Sequence, residues 1–206
     1  MVARIGTDEA GKGDFFGYLT VGGVYADDKT ADLLASHGVK DSKRLSDRQV
    51  FILEEFVKKT CAYEVVKISP EKYNQLYAKL GNLNTLLGWA HARVIENLLN
   101  KVDCSLVVSD QFGDKNFLEE RLMEKGRKVK LVQKTHAESD IAVAAASILA
   151  RAEFLRTLEG LSNYSGFRLP KGATNVVDTA RKISKKHGRE FLSKVAKTHF
   201  KTMEEV

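Results

Sequence analysis

Apolar residues recur along this chain in two rhythms: short runs that suit strands, and longer stripes of period 3.6 that suit helices. Val2-Ala3-Arg4-Ile5-Gly6-Thr7 opens as a strand. It is expected to end at Asp8 and Glu9, where β-propensity is poor, and to turn through Gly11-Lys12-Gly13. Phe15 to Tyr25 reads as a second strand, Thr60 to Ile68 as a third, Ser105 to Asp110 as a fourth and Lys128 to Lys134 as a fifth. Helical patterns lie between them. Thr30 to Ser36 is stopped by Gly38, and Ser46 with Gln49 makes a capping box ahead of Val50, Leu53, Phe56 and Val57. Ser69-Pro70 starts a helix that breaks at Gly81-Asn82-Leu83-Asn84, after which Leu83, Leu87, Ala90, Val94 and Leu98 form one stripe. Asp114 begins a helix running to Gly126, and Ile141 to Leu158 carries a buried-type stripe rich in alanine. Two further helices, about 176–186 and 189–197, flank Gly188. Strands alternating with helices predict an α/β architecture.

The 206 residues suit a single domain, 1–206, with a helical C-terminal portion from about 160. A net charge of +6 is compatible with a polyanionic partner, although a solvated cationic face gives the same number. Cys61 and Cys104 match no metal-binding spacing and read as two free thiols. No apolar run reaches transmembrane length and the N-terminus lacks a secretory h-region, so a cytoplasmic protein with no membrane partner is expected.

Two stretches stand out chemically. Asp8 and Glu9 precede a glycine-rich turn with a lysine, a set of groups suited to a divalent metal beside phosphate. Gly6 to Lys12 also fits G-x-x-x-x-G-K, but Gly13 follows where a P-loop needs Ser or Thr, and a strand follows where it needs a helix. Asp110 repeats the first pattern, an apolar run closed by an acid, at the kind of strand end where open α/β sheets bind ligands. Asp140 at a helix start is most often an N-cap. Trp89 and His91 are more often packing or surface residues than ligands, and Val39 to Leu45 reads as a polar loop.

Gly6-Thr7-Asp8-Glu9-Ala10-Gly11-Lys12-Gly13-Asp14 resembles the opening motif of the type 2 ribonucleases H. Its Gly-Lys-Gly is similar to ribonuclease HIII, where ribonuclease HII usually has Gly-Arg-Gly. Asp41 to Leu45 resembles the family's Asp-Ser-Lys-x-Leu, Ala145 to Arg151 its Ala-rich helix, and Lys194 to Phe200 the ribonuclease HIII ending. The resemblance implies a ribonuclease H-like fold: a central mixed five-stranded sheet flanked by helices, with C-terminal helices. It implies hydrolysis of the RNA strand of RNA/DNA hybrids, by a monomer using two Mg²⁺ or Mn²⁺ ions, leaving 3′-hydroxyl and 5′-phosphate ends. Asp8, Glu9, Asp110 and Asp140 would be the catalytic and metal-binding acids, with Asp8 bridging the ions and Glu138 the alternative to Asp140. Gly11, Lys12, Gly13, Ser42, Lys43, Asn82, Asn84 and Lys171 would touch substrate. Ribonuclease HII-like incision at single ribonucleotides is a second reading, opposed by the lack of a tyrosine after Gly172; a noncatalytic nucleic-acid binder is a third. Ribonuclease HIII usually carries an N-terminal substrate-binding domain, whereas seven residues precede Asp8 here.

Overall fold

A computed structural model describes residues 2–206. Its strands are β1 (Arg4–Ala10), β2 (Leu19–Ala26), β3 (Tyr63–Ile68), β4 (Leu106–Asp110) and β5 (Lys130–Lys134). They form one mixed sheet in the order β3-β2-β1-β4-β5, antiparallel from β3 to β1 and parallel from β1 to β5. The first strand is therefore central, and its carboxyl end lies beside that of β4.

Helices cover both faces. On one lies α4 (Leu83–Leu99), whose apolar stripe packs with Ile5, Val21 and Val107 into a core that also takes in α3 (Pro70–Leu80). On the other lies α6 (Ile141–Ser165), packed with α1 (Asp28–Ser36) and α2 (Asp47–Thr60). The capping box of Ser46 and Gln49 is present as the sequence predicts, as is the Ser69 cap of α3. Alanines let α6 sit unusually low on the sheet. A β-carbon on Gly6 would lie 2.3 Å from backbone atoms of Ala142 and Val143, and one on Gly22 2.4 Å from the Ala146 carbonyl oxygen.

Three elements differ from the sequence expectation. β1 continues through Asp8 and Glu9 because their backbones pair with Gly22 and Val21, so ladder bonds outweigh the poor strand propensity of the acids. The helix at Asp114 is one short turn, α5 (Asn116–Glu119), rather than a run to Gly126. Phe15 and Phe16 do not extend β2; both are fully buried in a third core, with α7 (Val177–His187) and α8 (Arg189–Val195). Their apolar run reads as strand only because its partner is the far end of the chain.

That partnership is intimate. Phe16 bridges Ala196, the Gly17 amide donates to Val195 O at 3.1 Å, and the Lys197 amide donates to Phe15 O at 2.8 Å. The Lys197 side chain is fully buried; its Nζ donates to Asp14 O and Gly17 O, each at 2.8 Å, and lies 5.6 Å from the centre of the Tyr73 ring. Burial pushes the pKa of Lys197 down to about 7, with the charge of Asp14 acting against it. Removing the ammonium leaves the buried Gly17 carbonyl without this donor, so Lys197→Met should cost about 2–3 kcal/mol of stability. Urea denaturation measures this; unchanged stability would mean that the lysine does not hold the loop.

Candidate active site

Register decides which acids can meet. Thr7 of β1 pairs in parallel with Ser109 of β4 and shares its face, toward α4. Asp8 and Asp110, one residue further along each strand, therefore emerge together on the α6 side. Asp8 is raised well above the usual carboxylate pKa, first by loss of hydration and then by the charges of Glu9 and Asp110. A 2.8 Å hydrogen bond from the Glu9 amide and the charge of Lys43 pull the other way without offsetting the rise. Asp110 Oδ1 accepts from the Ala137 amide at 3.1 Å, which ties the end of β4 to the segment leading into α6.

Glu9 leaves β1 on the α4 side. Its Oε1 accepts from Lys12 Nζ at 2.9 Å and its Oε2 faces His91 Nε2 at 3.1 Å. Burial pushes the Glu9 carboxyl up, but the bonds and charges of His91 and Lys12 prevail and hold it at about 2. The His91 ring is fully buried; its Nδ1 lies 3.0 Å from Thr7 Oγ1, and the ring stacks on Phe112 with centroids 5.0 Å apart. The sequence carried a weak sign of this: position 91 falls on the apolar stripe of α4, four residues after Leu87, where an imidazole needs a polar partner across the sheet.

Beside these acids opens a pocket of about 380 Å³. Asp8, Glu9 and Asp110 line it together with Gly11, Lys12, Gly13, Ser42, Lys43 and Lys171, all of them candidates in the sequence. Arg151 also lines it and was not foreseen. Arg151 donates to the Ser42 carbonyl and, at 2.7 Å, to Asp47, which also accepts from Lys171 Nζ at 2.9 Å. The loop bearing Ser42 and Lys43 is thereby fastened to α6, and Lys171 is already paired at the rim.

The remaining candidates lie elsewhere. Asn82 caps α4 by accepting from the Asn84 amide at 2.7 Å, and Asn84 packs against Gly113. Neither lines the pocket. Asp140 caps α6 through the Ala142 amide at 2.9 Å and pairs with Arg4 Nε at 2.6 Å. Arg4 begins β1, at the end remote from Asp8, so this contact draws the Asp140 carboxylate away from the pocket. Glu138 sits just before, its pKa lowered first by a hydrogen bond from its own amide and further by His136 and Lys43. It thus shares with Asp8 the field of the same lysine.

Hard oxygen donors on the ends of adjacent strands fit Mg²⁺ or Mn²⁺ in kind. Among the described residues no three such groups already converge on one point, since Lys12 and His91 hold both oxygens of Glu9. The burial and mutual repulsion that raise Asp8 are what a bound cation would relieve.

A central strand and its parallel neighbour ending in carboxylates, beneath a basic rim, define an α/β enzyme of the ribonuclease H-like fold. The family model described as Ribonuclease HII matches residues 5–203. A protein of Chlamydia pneumoniae named Ribonuclease HIII is 45% identical over 98% of this chain and 70% of its own length. One of Protochlamydia amoebophila with the same name is 44% identical, over 100% of this chain and 69% of its own. Among solved structures, Bst-RNase HIII in complex with Mn²⁺ superposes with a TM-score of 0.92 at 30% identity, covering 99% of this chain and 68% of that one. The ribonuclease HII of the Archaeoglobus fulgidus PCNA complex gives 0.78 at 32% identity, covering 95% and 94%. The chain belongs to the ribonuclease HII family and is a ribonuclease H.

Proposed function

We propose that this chain is a metal-dependent endoribonuclease of the HIII kind that hydrolyses the RNA strand of RNA/DNA hybrids to 3′-hydroxyl and 5′-phosphate ends. The observation that carries the reading is the pair Asp8 and Asp110, side by side on adjacent strands at a pocket rimmed by Gly11, Lys12 and Gly13. Asp8, Glu9 and Asp110 would hold the divalent ions, with Asp8 shared between them. When bound, two such ions supply Lewis acidity to an attacking water and to the leaving oxygen of an in-line displacement. The chain's own groups do the positioning. Lys12 and Lys43 attract the phosphates, giving salt-dependent and largely sequence-independent affinity. The Gly11-Lys12-Gly13 backbone is narrow enough to approach a ribose and read its 2′-hydroxyl.

For the fourth acid the geometry favours Glu138 over Asp140, because Lys43 links Glu138 to Asp8 while Arg4 engages Asp140. Glu138→Gln should lower hybrid cleavage by roughly 10²-fold or more. Asp140→Asn should instead act mainly on stability, by about 1–2 kcal/mol through the cap and the ion pair. Cleavage and denaturation measured on both variants decide this; the reverse pattern would restore Asp140 to the site.

The deciding experiment for the function is cleavage of an end-labelled RNA/DNA hybrid with Mg²⁺ or Mn²⁺, beside a duplex bearing one ribonucleotide. Internal cuts in the hybrid RNA with little incision of the second duplex support the HIII reading. Preferential cutting at the single ribonucleotide would make the enzyme HII-like, and binding without cleavage under either metal would leave only a nucleic-acid binder.

A further inference from the structure

His91 lies one layer beneath the pocket and outside its lining, yet it touches both acid-bearing strands. Its Nε2 faces Glu9 Oε2 at 3.1 Å, so an ionised carboxylate, which can only accept, requires the hydrogen on that nitrogen. Its Nδ1 faces Thr7 Oγ1 at 3.0 Å and Ser109 Oγ at 3.5 Å, and Ser109 Oγ in turn donates to the Asp110 carbonyl at 3.2 Å. The ring is fixed by α4 behind it and by Phe112 on its face. Glu9 itself needs such a brace. It departs from β1 on the face opposite Asp8, so without a partner on the α4 side its flexible side chain could take several rotamers, few of them near the metal-binding acids.

We propose that His91 is a positioning residue for the reaction: its Nε2–H holds one oxygen of Glu9 and leaves the other, now on Lys12, to be handed to a divalent ion. The inference rests on the reading of Glu9 as a metal ligand. It assigns the buried histidine the part that outer hydrogen-bond partners play in metal sites, where they orient a ligand and set its basicity. Lys12 is suited to the exchange because it is 41% exposed and on a mobile stem, so it can swing from Glu9 to a substrate phosphate. His91, with no exposure, cannot leave.

The test compares His91→Gln, whose amide nitrogen falls near the position of Nε2, with His91→Asn, whose amide falls near Nδ1. Wild type, Glu9→Gln and the double variants Glu9→Gln/His91→Asn and Glu9→Gln/His91→Gln complete the set. His91→Asn should lower kcat roughly 10–100-fold and raise the Mn²⁺ concentration at the midpoint of the metal-induced rise in Tm by about tenfold, while KM for hybrid stays within about threefold. His91→Gln should stay within about fivefold of wild type in kcat, since it keeps the donor to Glu9. Once Glu9 is Gln, adding His91→Asn should change the residual rate by less than about twofold, as for groups acting through one another. Equal losses in His91→Asn and His91→Gln, or an unchanged Mn²⁺ midpoint in His91→Asn, would overturn the proposal. So would a full additional loss in the double variant; if His91→Asn does not fold, loss of the Mn²⁺ response in His91→Gln would do the same. Should Glu9→Gln leave cleavage intact, the failure lies instead in the reading of Glu9.

Discussion

Asp8→Asn is expected to abolish hybrid cleavage, by about 10³-fold, and at the same time to make the metal-free protein more stable. Both effects come from one environment. Asp8 is largely buried beside Glu9 and Asp110, and the loss of hydration together with their charges raises its pKa well above the ordinary carboxylate value. A group that binds its proton more tightly when folded favours folding below its unfolded pKa, near 4, and loses that advantage as the pH rises through its folded pKa. At neutral pH wild-type Asp8 is therefore a liability unless a cation offsets its charge. The neutral amide removes the repulsion, and 1–2 kcal/mol would appear as a Tm about 3–6 °C higher in a chain of this length. Calorimetry in EDTA at pH 7 should show the gain, and at pH 3 it should shrink toward zero as wild-type Asp8 takes up its proton. A variant less stable than wild type at pH 7 would mean that Asp8 is held by bonds the amide cannot replace.

Gly6→Ala should destabilise the protein strongly, by about 4 kcal/mol or more. The added carbon would fall 2.3 Å from the backbone of Ala142 and Val143, and backbone cannot rotate aside as a side chain can. To admit it α6 would have to rise off β1, opening the tight seam of Ala142, Ala145 and Ala146 that the low seat of the helix creates. Gly13→Ala is the matched control. No atom lies within 4 Å of its added carbon and its backbone is not left-handed, so the change should stay within about 0.5 kcal/mol. Urea denaturation of the two proteins separates a steric requirement for glycine at position 6 from a general intolerance of the first motif. Similar stabilities would show that α6 can lift without cost.

These two glycines also mark how far the sequence could be read. Asp8, Glu9 and Asp110 were legible because each closes an apolar run ahead of glycine, a signal carried by neighbours in the chain. The five strands followed from the same local patterns, and the mixed sheet was what the resemblance implied; the order β3-β2-β1-β4-β5 was not legible in either. What stayed hidden depends on partners far away. Nothing near His91 says that Glu9 lies across the sheet from it, and nothing near Phe15 and Phe16 says that residues 195–197 will cover them. Asp140 shows a different difficulty. Its place before an alanine-rich helix fits both a cap and a ligand; the cap was legible locally, but the ion pair with Arg4, 136 residues earlier, was not. Asn82, expected as a substrate contact, caps α4.

The clasp between the segment after β1 and the end of the chain has a consequence in time. The ribosome delivers Asp8, Glu9 and the glycine-rich turn well before the clasp can form, because Gly17 must wait for Lys197, 180 positions later. At roughly 5–20 residues per second that interval is about 10–40 s. Throughout it the nascent chain carries the first two acids of the centre on a strand whose exit is unsecured. The first motif can therefore take its final, clasped shape only once translation has passed Lys197.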